Sequence, residues 1–407
     1  MTTCLPSRPW TLPALLLLVC GFAFMLPSLA SAQTEYLGLA AFPGTTRDKS
    51  GLTELIDGIP HDLLGGISAI DWIGENRYVI LADKGPGKIK APWACRYHVA
   101  QIAPPADKAT SAPARILETR MFRDEQGRQL VGSPDLREIQ KSGFRLVLDP
   151  EGVRQSREGK LFVADESKPG VFEFDDAGNR VRELPLPARF QVRFRSLSTK
   201  TENLQNQSGR QANGGPEGLA ITPDGAKLLV AMQRPLIQDS RNSDDGRAGT
   251  NLRLIELSLV GKPAREFLYR LDHPEHSVCE ILAVGPETFL VLERDGREGK
   301  AARCRKIFRI DTGGASDVSQ HAALPVDEVP AGVTPVVKSL LLDLQTPEFG
   351  PNGRGITSKV EGITFGPPRT DGRLVLIVSS DNDFETTQPV LFYFFAIDRK
   401  QLPEFAW

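Results

Sequence analysis

Histidine, cysteine, methionine and tryptophan are scarce in this chain of 407 residues, which holds five, five, four and four of them. Cys4 and Cys20 fall in an N-terminal leader, so a mature chain keeps Cys95, Cys279 and Cys304. Three thiols allow at most one intramolecular disulfide. Cys279 and Cys304 are the nearer pair in sequence, but spacing does not fix connectivity. Stability is therefore expected from a large core rather than from cross-links. The cysteines lack the spacing of a zinc site. His61, His98, His273, His276 and His321 are scattered, and His273-Pro274-Glu275-His276 lacks the i, i+4 pairing of a helical zinc motif. There is no Gly-x-Ser-x-Gly elbow, no phosphate-binding loop with its Lys-Ser/Thr, and no dinucleotide fingerprint. Serine-hydrolase, nucleotide-hydrolase and dehydrogenase chemistry thus lose their usual sequence support.

Long apolar runs are also few. The longest, Leu12 to Leu26, follows Arg8 and precedes Ala30-Ser31-Ala32, the pattern of a secretory signal cut before Gln33. Residues 1–32 are read as that signal and 33–407 as one domain. No later segment is long and apolar enough to span a bilayer, so no integral membrane segment is expected after cleavage. Without the leader the chain carries 48 bases and 51 acids. A nearly neutral domain has no bulk attraction to nucleic acid. A monomer in the periplasm or outside the cell is expected.

What the chain has in quantity is a recurring phrase. Gly65-Gly66-Ile67-Ser68, Glu151-Gly152-Val153, Glu217-Gly218-Leu219, Glu280-Ile281-Leu282 and Glu361-Gly362-Ile363 each precede a turn and an apolar run. The runs begin at Tyr78, Leu161, Leu228, Phe289 and Leu374. Continuous apolar runs fit strands buried on both faces, and the alternating segments that follow fit strands with one wet face. Candidate third strands start near Tyr97, Val171, Leu252, Lys306 and Leu391, and fourth strands near Arg180, Arg265 and Val337. Turn residues such as Pro223-Asp224-Gly225 favour antiparallel hairpins. Four antiparallel strands repeated around a ring predict an all-β protein, a β-propeller of five or six four-stranded blades. An N-terminal strand, Tyr36 to Phe42, is expected to close the ring. A sixth blade has room in 33–64 or 104–148, while 190–214, 236–250 and 345–358 read as long surface loops.

The combined phrases Asp149-Pro150-Glu151-Gly152-Val153, Gly159 to Glu166, Asn213 to Gly225 and Val360 to Ile363 resemble the phytase-like, "esterase-like activity of phytase" domain family. The likeness runs from about Leu64 to Asp398. It implies a propeller and points to phosphoester hydrolysis. Two units depart from the pattern: the first has Gly65-Gly66 in place of Glu-Gly, and the fourth has Glu280-Ile281 without the glycine.

Equivalent positions of repeats converge in space. Inner strands lining a central channel would gather Glu151, Glu217, Glu280 and Glu361 at one end, joined by Asp83, Asp165, Glu166, Asp381 and Asp383 from the ends of second strands. Two bare carboxylates 4 Å apart repel by about 4 kcal/mol at an effective dielectric near 20, so such a group protonates, pairs with bases or holds a cation. Oxygen donors without His or Cys favour Ca²⁺. The expected metal ligands are Glu151, Glu217, Glu280, Glu361, Asp83, Asp165 and Asp381. Glu151, Glu217 and Glu361 are the candidate catalytic groups, with Lys84, Arg234 and Arg294 placed to face a phosphate. For any single glutamate the plainer reading is a carboxylate that caps backbone N–H groups of the next blade. The expected function is calcium-dependent hydrolysis of a small phosphoester. The alternatives are a metal-dependent lactonase, with Asn213 and Asn382 at a single ion, and a non-catalytic binding propeller of the cell envelope.

Overall fold

The computed structural model describes residues 1–2 and 34–406, apart from residues 88, 90, 109, 133–145, 197, 244, 245, 260 and 261. The expected signal therefore lies outside the described residues, as does part of the stretch 104–148 in which a sixth blade was looked for.

Five small antiparallel sheets stand in a ring, and the number of blades is five. Blade 1 is Ile67–Trp72, Arg77–Ala82, Arg96–Gln101 and Arg115–Met121. Blade 2 is Pro150–Gln155, Leu161–Asp165, Gly170–Phe174 and Arg180–Pro185. Blade 3 is Pro216–Ile221, Lys227–Met232, Asn251–Ser258 and Pro263–Arg270. Blade 4 is His276–Ala283, Thr288–Asp295, Arg305–Asp311 and Val337–Asp343. Blade 5 combines Lys359–Gly366, Leu374–Asp381 and Val390–Ile397 with the N-terminal strand Glu35–Phe42. That last strand pairs antiparallel with Val390–Ile397, from Glu35 opposite Ala396 to Phe42 opposite Val390. Ser111–Pro113 adds a short parallel strand outside it.

The apolar runs became second strands because their side chains are covered on both faces by neighbouring blades. Phe162, Val171 and Leu184 of blade 2 pack with Leu219, Leu229 and Val230 of blade 3. Ile377 and Phe394 of blade 5 meet Ile70, Tyr78 and Ile80 of blade 1, which seals the ring. The stretches expected as surface loops carry little regular structure, with one helix at Thr199–Gln205 and a small hairpin at Arg241–Ser243 and Gly246–Ala248.

Every inner strand carries a register shift at its start, between Ile67 and Ala69, Pro150 and Gly152, Pro216 and Gly218, Val278 and Glu280, and Val360 and Gly362. The structurally equivalent residues are thus Ser68, Glu151, Glu217, Cys279 and Glu361. This corrects the sequence alignment in two units. The first unit contributes Ser68 rather than Gly65 or Gly66, and the fourth contributes Cys279 rather than Glu280. A slip of one residue moves a strand side chain to the opposite face.

The shift also explains the glycine after each glutamate. A Cβ on Gly152 would come within 2.5 Å of the Glu217 carbonyl, one on Gly218 within 2.6 Å of Ile281 N, and one on Gly362 within 3.0 Å of Ile70 N. Each glycine therefore lets its inner strand lie against the next one around the ring. Glutamate faces the channel and glycine faces the neighbouring blade.

Below this level the channel is plugged by Arg154. Its guanidinium donates to the carbonyls of Ile70 (3.0 Å), Val153 (2.7 Å), Ile281 (2.9 Å) and Ile363 (3.3 Å), and so joins four blades at the axis. Glu280 Oε2 lies 3.2 Å and Asp71 Oδ1 4.0 Å from the same side chain.

Candidate active site

Above the Arg154 plug the channel opens into a cavity of about 270 Å³. Ser68, Glu151, Glu217 and Glu361 of the bulge ring line it, together with Asp83, Lys84, Asn213, Gln233, Arg294, Lys359, Asp383 and Phe384. Three of the four inner-strand glutamates expected there are present. Glu280 is the exception: its Oε1 accepts from Leu219 N (3.1 Å) and Ile281 N (3.0 Å), which is a capping role, and its Oε2 faces Arg154. Asp165 also stands away from the cavity lining. Its Oδ1 accepts from Asp149 N (3.1 Å) and Ser167 N (2.9 Å), shaping the turn that ends the second strand of blade 2. Arg234 packs behind the wall, with its Cβ 3.2 Å from where a Cβ on Gly214 would be. Asp381 sits one layer back, reaching the cavity through Lys359. Cys279 lies buried beside Glu217 and Glu361, and all three cysteines are free thiols.

The carboxylates fall into two groups. Paired ones come first: Asp149 Oδ2 lies 2.7 Å from Lys84 Nζ, Glu361 Oε1 2.5 Å from Arg294 Nη2, and Lys359 Nζ lies 2.7 Å from Asp381 and 2.6 Å from Asp383. Burial opposes charge on Glu361, but Arg294 and Lys359 outweigh it and hold its pKa below the ordinary value. Burial likewise opposes charge on Lys84, and Asp149, Glu166 and Glu151 outweigh it.

In the second group no ion pair joins Glu151 or Glu217 to a base among the described residues, while Glu166 has Lys84 at 3.7 Å. Gln233 Nε2 donates to Glu217 Oε1 at 2.6 Å, while the buried Glu217 Oε2 has no hydrogen-bond partner. Burial and the neighbouring Glu166 and Glu361 push the Glu217 pKa well up. Burial, then Glu217, Asp149 and Glu166, push Glu151 well up too. Asp83 is raised by burial and by Asp381. Asp149, Glu151 and Glu166 each bring one oxygen to within 4.8 Å of the others, and Asp149 Oδ1 is a further buried oxygen without a partner. Orphaned carboxylate oxygens in an oxygen-rich cluster fit a hard divalent cation.

Backbone strain gathers at the same place. Among the described residues, five other than glycine have left-handed φ, and three of them, Asn213 (53°), Asp383 (48°) and Phe384 (57°), line the cavity. Such conformations persist where surrounding structure imposes them, and a bulky residue such as Phe384 is the rarest occupant. The departure at Gly65-Gly66 has its reason here. A Cβ on Gly65 would lie 2.8 Å from the Phe384 Cα, and one on Gly66 would lie 2.3 Å from Cε2 and 2.5 Å from Asp83 Oδ1. Gly66 also has φ of 61°. Gly66→Ala is expected to lower unfolding free energy by about 1–3 kcal/mol and to displace the Phe384 loop, as urea titration and proteolysis at that loop would read.

Sequence reading missed Ser68, Asp149, Gln233 and Lys359, whereas Asp383 belongs to the acids expected near the ends of second strands and does line the cavity. A signal existed for two of them: Asp149 and Lys359 each stand two residues before a channel glutamate, Lys359 on the inner strand itself and Asp149 just ahead of one. Gln233 comes from the loop after Lys227–Met232, whose course no periodicity encodes.

A five-bladed propeller with a carboxylate-rich, partly cation-lined mouth defines the class. The chain belongs to the phytase-like family, whose model, "esterase-like activity of phytase", matches residues 62–384. It is 29% identical over 193 residues to an uncharacterized secreted protein of Arthroderma benhamiae, an alignment covering 40% of this chain. The chain spans 37% of the length of that relative. Among solved structures it is similar to the Malassezia sympodialis allergen Mala s 1, at 11% identity, 92% and 94% coverage of the two chains and a TM-score of 0.41. A Bacteroides caccae protein of unknown function shares 11% identity over 78% of this chain and 72% of its own, with a TM-score of 0.32. No helix among the described residues is long and apolar enough to cross a membrane.

Proposed function

We propose that the cavity hydrolyses a phosphoester with a bound calcium ion, in a protein exported past the inner membrane by residues 1–32 as a cleaved signal. The observation that carries this reading is the mixture at the mouth: unpaired, pKa-raised Glu151 and Glu217 face Lys84, Arg294 and Lys359 across one cavity. Glu217, Asp149 and Glu166 would hold the ion, with Asp83 and Glu361 at its margin, which leaves Glu151 beside it as the base. When bound, calcium polarises a phosphoryl oxygen and neutralises part of its charge. Lys84, Arg294 and Lys359 orient the remaining oxygens. Glu151, which has no base paired to it among the described residues, takes a proton from water as the water oxygen bonds to phosphorus and the ester P–O bond breaks. The departing alkoxide takes up the proton that Glu151 now carries, so the alcohol leaves neutral and the carboxylate is restored. Glu361, held ionised by Arg294, serves to position that guanidinium. The lactonase alternative calls for few acids, and five carboxyl side chains line this cavity.

Calcium addition to metal-stripped protein is expected to raise the melting temperature. At a hundredfold excess over Kd the gain is about 2.7 kcal/mol, or several degrees, and magnesium gives less. Phosphate release from simple mono- and diesters, lost with chelator and restored by calcium, is the activity test. Absence of both the shift and the release would remove the proposal.

A further inference from the structure

The acidic cavity does not end at Phe384. On the other side of that ring lies a second hollow of about 590 Å³, lined by Gly58, Ile59, Pro60, Leu63, Pro86, Gly87, Asp383, Phe384, Glu385 and Thr386. Gly87, Asp383 and Phe384 belong to both, so the two spaces share a wall. One is lined by charge and the other largely by hydrocarbon.

The hollow is built from sequence outside the repeats. Leu55–Ile56 and Ile59–Pro60 form a tight hairpin whose turn residues Asp57 (φ 48°) and Gly58 (φ 85°) are both left-handed. Ile56 and Ile59 rest on an apolar cluster of Leu63, Ile89, Trp93 and Phe384. The Trp93 and Phe384 rings meet edge to face at 5.4 Å. Two glycines and two consecutive left-handed residues are thus spent on holding one phenyl ring between a charged cavity and an apolar one.

We propose that the hollow receives the apolar alcohol part of the substrate, so that the enzyme acts on a single phosphate carried by an alkyl or aryl group. This rests on the phosphoester reading and narrows it. Continuity with the acidic cavity supplies the geometry, since a phosphate beside Glu151 and Lys84 leaves its ester arm to pass Phe384. Charge supplies the exclusion. A polyphosphorylated ring would need a cation for each phosphate, and the cavity has three cations against five carboxyls. The neighbouring hollow offers Ile59, Pro60, Leu63 and Phe384 in place of bases.

The test measures binding apart from turnover, using n-alkylphosphonates from methyl to pentyl in calorimetry on the full chain with calcium. Each methylene that enters an apolar space contributes about fourfold in affinity, so pentylphosphonate is expected to bind about 10²-fold tighter than methylphosphonate. Ile59→Asn, at a half-buried position of the hairpin that lines the hollow, is expected to flatten the series to tenfold or less. The pentyl-to-methyl ratio of kcat/KM for the corresponding phosphate esters should follow the same course. Affinity that rises with chain length without any ester hydrolysis would leave the apolar subsite standing and remove the hydrolase. Methylphosphonate binding with no dependence on chain length, or a series unchanged by Ile59→Asn, overturns the subsite. No phosphonate binding at all overturns both.

Discussion

Arg154→Met is expected to lower the free energy of unfolding by about 3–5 kcal/mol, the largest stability loss of any single substitution discussed for this chain. The arginine donates to carbonyls of four blades at the axis, so its removal leaves buried acceptors unpaired in each of them. It also strips Glu280 of its cation. Burial already pushes the Glu280 pKa up to about 8 from an ordinary 4.5, against the pull of Arg154. A raised carboxyl pKa means that the folded chain holds the proton longer than the unfolded one. Its contribution is most favourable below about pH 4.5 and declines as pH climbs to about 8. Unfolding in urea across that range should show stability falling with pH, and Glu280→Gln should flatten the slope. Arg154→Met should steepen it, because the charged carboxylate then has no partner. A stability indifferent to Arg154 would mean that the ring holds without its plug.

The second large effect concerns catalysis. Glu151→Gln is expected to lower kcat/KM by about 10²–10⁴-fold while leaving the urea midpoint nearly unchanged, as loss of a general base does. The glutamine keeps the volume and removes the group that accepts the proton. Glu217→Gln should act differently. It replaces the orphaned Oε2 and is expected to weaken calcium binding, raising the calcium needed for half-maximal melting shift about tenfold or more. Glu361→Gln frees Arg294 from its 2.5 Å pairing, so its effect should fall on KM more than on kcat. Equal losses for all three glutamates would argue that they form one structural cluster and not a site with separate roles.

The strands were legible because the repeat carries its own signals. Apolar runs such as Leu228 to Met232 are covered on both sides, and turn residues such as Asp224-Gly225 punctuate them. The propeller, its five repeating units and the closing strand followed from that, while the choice between five and six blades came from the structure. What the repeat could not give was the exact register of its weakest copies. Cys279 and Glu280 are adjacent, one facing the channel mouth and the other facing Arg154, and nothing in their one-letter pattern says where the shift falls. Glu280 looked like a fourth ligand because glutamate recurs elsewhere at the aligned point. The coordinates place it in the layer beneath. Loop residues were harder still, since Phe384 reaches the site through left-handed backbone that favours other residue types.

The seam in blade 5 sets an order of events in time. Glu35–Phe42 is among the first described parts of the chain to be made, and its partner Val390–Ile397 is among the last. Lys359 and Glu361 on the inner strand of the same blade line one cavity with Ser68 and Lys84 of blade 1. The early strand must therefore wait until the four intervening blades and its partner strand have been made before it can dock. Until blade 5 has joined, the cavity lacks the wall that carries Lys359 and Glu361.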